Sequence, residues 1–310
     1  MLTCHFISQK PMSNSFCAPP STIVIGDSSP SPLKVRRLGY GTMRLTGTDI
    51  WGEPADRSMA KKVLIRALEM GVNFLDTANY YGPYVTNQLI VETLYPYPTD
   101  LVICTKVGAK RGDDKSWIPY ATPRELRLSV EDNLKHLKLE QLPLVHFRVM
   151  PHDHGTPFAA SLDAMFAMQK EGKILHVGLS NVTPDQLKEA MRMGPVATVQ
   201  NLFGYHQRQT LKGPHGETKG GAEVLRLCET HHIPLTPFFS LVTSLTVEDD
   251  RIASLASRYG ITPAQLHIAW LLHYSPWILP IPGTSSLVHM EENLQSASIP
   301  LSAEDMTFLG

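Results

Sequence analysis

From Lys34 onward the chain repeats one pattern: a short run of β-branched and other apolar residues, a turn rich in Gly, Asn, Thr or Pro, and a longer stretch with apolar residues at helical spacing. The repetition predicts βα units around a parallel sheet. Strands are expected at residues 38–42, 72–76, 101–106, 142–148, 174–180, 198–201, 233–238 and 278–282. Helices are expected at 58–70, 86–94, 123–137, 158–171, 184–193, 222–231, 263–272 and near 288–297. The third carries Leu126, Val130, Leu134 and Leu137, spaced to form one apolar face. Eight strand segments favour a closed α/β architecture, a (β/α)8 TIM barrel, over two domains.

Punctuation supports these boundaries. Thr122-Pro123, Thr183-Pro184 and Thr262-Pro263 each set a capping hydroxyl before a proline suited to a first helical turn. Gly71 and Gly172 follow helical runs, and Gly194-Pro195 stops the fifth helix. Residues 1–32 mix Ser, Pro and scattered apolar residues without a helical period, so they are expected to be a disordered leader before a single barrel domain over 33–310.

Charge and cysteine content narrow the partners. With 28 Lys plus Arg against 29 Asp plus Glu there is no broad basic face, which excludes nucleic acid as the main partner. The four cysteines, Cys4, Cys17, Cys104 and Cys228, lack metal-finger spacing and read as reduced thiols. The histidines of Pro151-His152-Asp153-His154 have no convincing further ligand, so no metal is expected. No apolar run approaches the roughly 20 residues a bilayer span needs. The expectation is a soluble, cytoplasmic monomer or weak homo-oligomer with no membrane partner.

Chemistry is expected where barrel strands end. Asp76 ends the second strand and Lys106 the third, and the loop Thr77-Ala78-Asn79-Tyr80-Tyr81-Gly82 can bring a phenol between them. Such a set suits carbonyl reduction: Lys106 favours ionisation of the Tyr81 phenol, Asp76 orients and balances the lysine, and Tyr81 protonates the developing alkoxide.

With Gly39-Tyr40-Gly41-Thr42-Met43, Thr105-Lys106, Gly178-Leu179-Ser180-Asn181, Gln200-Asn201, Ile281-Pro282-Gly283-Thr284 and Glu291-Glu292-Asn293 in this order, the sequence resembles the aldo/keto reductase superfamily across residues 34–300, nearer the pyridoxal-reductase-like members than the long-tailed sugar or steroid reductases. The resemblance implies a nicotinamide-dependent oxidoreductase interconverting carbonyls and alcohols, with Tyr81 as general acid tuned by Asp76 and Lys106. It also implies a cofactor site built from Gly41, Thr42, Met43, Asp76, Ser180, Asn181, Gln200 and Phe238, with Phe239 as the alternative ring. Ser285, Ser286 and His289 would meet a 2′-phosphate, and Glu292 and Asn293 the adenine. Many relatives place Arg or Lys around Ser286 or His289, so NADP(H) is the preferred cofactor and NAD(H) the alternative.

One position departs from the family pattern. Alignment of residues 142–148 sets Arg148 where the fourth strand usually ends in histidine; His146 lies two residues earlier, roughly 6 to 7 Å along the same strand face. Arg148 is taken as the fourth catalytic group, with carboxylate or cofactor-phosphate binding as its alternative role, and His146 is assigned to the substrate pocket. Trp51, Tyr80 and Trp117, with Tyr120, Phe203 and Tyr205, supply aromatic rings for the pocket mouth. Residues 205–221 read as a flap or a simple connection. No long substrate-closing tail follows the barrel, which suits a larger aldehyde or ketone, including a biosynthetic intermediate. The competing reading is a nicotinamide-binding regulatory or auxiliary barrel, motivated by the missing histidine.

Overall fold

The computed structural model describes residues 21–150, 155–208, 221–241 and 249–310. An antiparallel hairpin comes first, β1 (Thr22–Ile25) with β2 (Leu33–Arg36). Then follow β3 (Tyr40–Gly41), α1 (Arg57–Glu69), β4 (Phe74–Asp76), α2 (Val85–Leu94), β5 (Val102–Arg111), β6 (Trp117–Tyr120), α3 (Pro123–Leu137), β7 (Leu142–Arg148), α4 (Phe158–Lys170), β8 (Ile174–Ser180), α5 (Pro184–Met193) and β9 (Val199–Gln200). The remaining helices are α6 (Gly221–Thr230), α7 (Asp250–Tyr259), α8 (Pro263–Tyr274), α9 (Leu287–Gln295) and α10 (Ala303–Leu309). Among the described residues no helix is long and apolar enough to cross a membrane.

The parallel strands run in the order β3-β4-β5-β7-β8-β9, and the sheet curls on through single bridges from Val199 to Leu235 and from Leu235 to Ile278. It closes where Gly39 N–H donates to the Pro280 carbonyl at 2.9 Å and Gly41 N–H to that of Pro282 at 3.3 Å. This is a (β/α)8 barrel. The expected strands at 233–238 and 278–282 are present as bridges rather than continuous strands. Pro234, Pro237, Pro280 and Pro282 remove the N–H donors a full ladder needs.

The predicted caps form as expected. Thr122, Thr183 and Thr262 each accept from the backbone N–H three residues on, completing capping boxes with Glu125, Gln186 and Gln265. The leader's expected end at residue 32 is corrected: β1 lies inside it, because Ile23 and Ile25 alternate inward and pack with Val35 against Phe74, Val102, Leu144 and Leu279. The hairpin thereby plugs the barrel's N-terminal end. Residues 1–20 lie outside the described residues, as do the motif 151–154 and most of the 205–221 segment. Besides this hairpin, β6 and α7 were not anticipated. β5 runs past Lys106 to Arg111 and folds back onto β6, and α7 buries only the narrow stripe Ile252, Leu255 and Ala256.

Strand alternation sorts the barrel into an inner and an outer set. On β7, Val145 and Phe147 join the strand–helix layer, whereas Leu144 joins the inner cluster and His146 and Arg148 follow it in the same phase. Closure between first and last segments demands backbone contact. A Cβ on Gly41 would lie 2.7 Å from the Ile281 carbonyl oxygen, and one on Gly283 would run into the Gly41 carbonyl. Gly41→Ala is therefore expected to destabilise the fold by about 1 to 3 kcal/mol, read as a lower urea midpoint at unchanged m value.

Candidate active site

At the C-terminal end of the strands, inner positions turn from apolar to charged. Asp76 closes β4 directly after Phe74 and Leu75, and Lys106 stands in β5 two positions beyond Cys104. Lys106 is 2% exposed and Asp76 4%. Lys106 Nζ donates to Asp76 Oδ1 at 2.6 Å and to the Thr77 carbonyl at 2.9 Å. Gln200 Nε2, from β9, donates to the other carboxylate oxygen at 2.8 Å. Burial opposes the ammonium charge, but Asp76 and, behind it, Tyr81 outweigh burial and hold Lys106 above the usual lysine range.

Tyr81 is also buried, with the Lys106 ammonium 5.0 Å from its ring centroid. Burial pushes its phenol well above the usual tyrosine range; Lys106 and, more weakly, Arg148 pull it back, while Asp76 adds to the rise. The net direction keeps Tyr81 protonated at neutral pH, which is the state of a proton donor. Tyr81, Lys106, Asp76 and Arg148 line one cavity of about 300 Å³ together with Gly41, Met43, Ser180, Gln200, Phe238 and Phe239. Arg148 ends β7 beside Ser180, its guanidinium carbon 4.9 Å from the Trp117 ring centroid. Gly108 makes this juxtaposition possible: its φ of +101° is one side chains rarely adopt, and a Cβ there would run into the Arg148 carbonyl.

The cavity suits a nicotinamide carboxamide. Ser180 and Gln200 present polar groups on one wall, and because Gln200 Nε2 is spent on Asp76, its Oε1 is left to accept an amide N–H. Phe238 supplies a half-buried ring and Phe239, at φ +52°, a more exposed one. Asn181, at φ +63°, donates one Nδ2 hydrogen to the Val149 carbonyl at 2.8 Å, which fixes the orientation of its side-chain amide. Thr42 is buried and donates to the Asp76 carbonyl at 3.1 Å, which fixes the strand end instead of lining the cavity. An adjoining wider groove carries Met43, Trp117, Thr284 and Ser285. Ser286 caps α9 by accepting from His289 N–H; Ser286, His289, Glu292 and Asn293 belong to that helix and line neither cavity.

Several pocket expectations change. His146 does not line the cavity: it is fully buried one layer down, its Nε2 2.7 Å from Thr198 Oγ1 and its Nδ1 3.2 Å from Cys104 Sγ. Burial and then the Lys106 charge hold its pKa far below the usual imidazole range, so it is a neutral core group. Two residues of displacement along an inward-facing strand moved it from the mouth into the core. Phe203 stacks on Trp270 at 6.2 Å, and the Tyr205 hydroxyl lies within hydrogen-bond reach of Asp249 at 3.1 Å and of the Leu309 carbonyl at 3.2 Å; neither residue lines either cavity. Tyr80 packs edge-on between Tyr81 and Trp117, 5.4 Å from each, and Trp51 bridges to Gly82; neither lines either cavity, whereas Trp117 lines the wider groove. Asp76, Cys104 and His146 bring ligand-type atoms within 4.8 Å of one another, but both oxygens of Asp76 are engaged by Lys106 and Gln200, and burial keeps Cys104 a thiol.

The sequence reading missed Arg44, which lines both cavities, and a buried polar net behind the site. Thr77 Oγ1 donates to Asn87 Oδ1 at 2.9 Å, Asn87 Nδ2 to Asn133 Oδ1 at 3.2 Å, and Thr105 Oγ1 to that same oxygen at 2.7 Å. Asn133 Nδ2 returns to the Ser129 carbonyl at 2.8 Å. The net ties the residues after Asp76 and before Lys106 to α2 and α3. Its signal was in the sequence: Asn133 falls three residues after Val130 and four before Leu137, a polar residue on the apolar face.

His146→Leu is expected to cost about 1 to 3 kcal/mol by stranding Thr198 and Cys104, with less than about a tenfold loss of kcat/KM, since the side chain lies outside the cavity. Denaturation and turnover measured on one preparation check this. A loss beyond about a hundredfold would return His146 to the chemistry.

Comparison with known proteins matches this geometry. The chain is 42% identical over 295 residues to pyridoxine 4-dehydrogenase of Escherichia coli K12, covering 93% of this chain and 97% of that protein. It is 38% identical over 284 residues to an uncharacterized oxidoreductase of Schizosaccharomyces pombe, covering 91% and 87%. In fold it resembles the aldo-keto reductase of Klebsiella pneumoniae solved in complex with NADPH, at a TM-score of 0.72 and 22% identity over 93% of both chains. With the aldo/keto reductase model matching residues 37–309, the chain belongs to the aldo/keto reductase family and is an NAD(P)H-dependent oxidoreductase of small carbonyl compounds.

Proposed function

We propose that this protein is an NADPH-dependent aldehyde reductase, with Tyr81 as the general acid and pyridoxal-like aromatic aldehydes as its substrates. The observation that carries the reading is the buried Tyr81 phenol on the cavity wall, its ring 5.0 Å from the ammonium of a lysine locked to Asp76. The relative named for pyridoxine 4-dehydrogenation supports the substrate class, and the solved NADPH complex of the Klebsiella relative supports the cofactor.

When bound, the reduced nicotinamide supplies a hydride to the carbonyl carbon. Ser180, Asn181 and Gln200 would hold its carboxamide and Phe238 would face its ring, with Gly41 and Met43 on the same cavity wall and Thr42 fixing the strand end behind them. Ser285, Ser286 and His289 would receive the 2′-phosphate at the N-terminus of α9, where a helix favours negative charge, and Glu292 and Asn293 would serve the adenine side. Tyr81 donates its hydroxyl proton to the carbonyl oxygen, and the resulting phenolate is stabilised by Lys106 and Arg148 until solvent reprotonates it through the cavity. Asp76 keeps the lysine charged and aimed. Met43, Phe238 and Phe239 exclude water from the reacting atoms.

Tyr81→Phe is expected to lower the reductive kcat by at least about a hundredfold while leaving the NADPH Kd, read by fluorescence, within about twofold. Undiminished turnover would remove Tyr81 from the acid role. The pH profile follows from the raised phenol pKa: the proton is lost only as pH rises past that value, so reduction does not decline through Tyr81 between about pH 6 and 9. A reductive kcat that falls with a midpoint in that window in wild type and not in Tyr81→Phe would contradict the assignment.

A further inference from the structure

Arg148 stands out among the charged groups of the cavity by what it lacks. Lys106 is matched by Asp76, and Arg111, between Trp51 and Trp117, is spent on the carbonyls of Asp49, Ile50 and Lys115. Among the described residues no carboxylate or carbonyl meets the Arg148 guanidinium. It is half-buried on the wall beside Tyr81, steadied by the Trp117 ring. The surrounding wall includes Met43, Phe238, Phe239 and Leu241. Arg44, the other cation of that wall, is exposed at the rim.

A half-buried guanidinium with no counter-ion among the described residues loses hydration when a substrate enters, at a cost an apolar substrate does not offset. The guanidinium fork offers paired donors that fit two oxygens side by side. One oxygen is the carbonyl that Tyr81 protonates; the other must then be its close neighbour and carry negative charge. The aromatic lining favours a ring as the scaffold holding both.

We propose that the site selects aromatic aldehydes with an ionised hydroxyl ortho to the formyl group, and that Arg148 is the residue that reads it. The proposal rests on the carbonyl-reductase reading and adds the substituent the substrate must carry. Pyridoxal, whose ring hydroxyl adjoins its formyl group, meets the requirement. Reduction stays balanced: the formyl carbon gains the hydride, its oxygen gains the Tyr81 proton, and the ortho oxygen keeps its charge throughout.

The test is a substrate panel at a pH where the ortho-phenol is ionised: salicylaldehyde, 2-methoxybenzaldehyde, 4-hydroxybenzaldehyde and benzaldehyde, with wild type, Arg148→Met and Arg148→Lys. NADPH oxidation gives kcat/KM, and NADPH titration gives cofactor Kd for each variant. The wild type is expected to prefer salicylaldehyde over its methoxy analogue by about ten- to a hundredfold, the range a charged hydrogen bond spans. Arg148→Met should bring that ratio close to one, and Arg148→Lys should keep part of it, since the charge remains without the fork. A wild-type ratio within about threefold, or one that survives Arg148→Met, would overturn the proposal. So would a ratio that stays while the NADPH Kd rises, because the charge would then serve the cofactor. If NADPH binds and no aldehyde in the panel is reduced, the reductase reading itself falls and takes this proposal with it.

Discussion

The interaction on which the site depends is the buried pair between Lys106 and Asp76. Withdrawing both charges from water costs several kcal/mol per ion, and their attraction offsets it only when geometry is good and the remaining donors and acceptors are satisfied. Here the carboxylate takes Lys106 on one oxygen and Gln200 on the other, while the ammonium takes the Thr77 carbonyl as a second acceptor. Those partners come from β4, β5, β9 and the loop after β4. The pair is therefore satisfied only when the sheet has curled far enough to bring β9 across from β4. Barrel closure and site assembly are the same event.

The same logic explains the polar net of Thr77, Asn87, Thr105 and Asn133, which lies outside the barrel wall and touches no reacting atom. Asp76 and Lys106 stand on neighbouring parallel strands, and small shifts of either strand end would lengthen a 2.6 Å bond. Thr77 and Thr105, next to them in sequence, are pinned through Asn87 and Asn133 to α2 and α3. Thr42 adds a tie from the first barrel strand to the Asp76 carbonyl. Every group in this shell is neutral and fully buried, so it holds geometry without altering the charge balance around Tyr81.

Much of this was legible in the sequence, for physical reasons that differ by element. The helices 123–137 and 184–193 were read to the residue because Thr-Pro starts and capping boxes are local signals. The prolines of 233–238 and 278–282 were also visible, yet apolar content outweighed them, so full strands were expected where only bridges form. The hairpin of Thr22–Ile25 was missed because its apolar face is two residues wide and its partner lies across the polar turn that made the segment look unstructured. Asp76, Tyr81 and Lys106 were legible as polar groups converging from strand ends and the loop between them, and they line one cavity. Asn133 was readable only as a flaw in an apolar stripe, since its partners lie on other elements.

The exchange of a titrating group for a permanent charge at the end of β7 changes what the site can do. A histidine there would gain or lose a proton with pH and could trade protons with substrate, whereas arginine stays charged and can only donate. Strand geometry decides between the two candidates of this chain. His146 and Arg148 face the same way, but one sits a layer below the other. The lower layer is dry, so burial and the Lys106 charge above it keep the imidazole neutral. The upper layer meets the cavity, where the guanidinium packs on an aromatic face. On the proposed reading the proton chemistry falls to Tyr81, and the fourth position is left to bind and to discriminate. On that reading its positive charge also eases the proton off Tyr81 as the alkoxide develops, working in the same direction as Lys106 on the neighbouring strand.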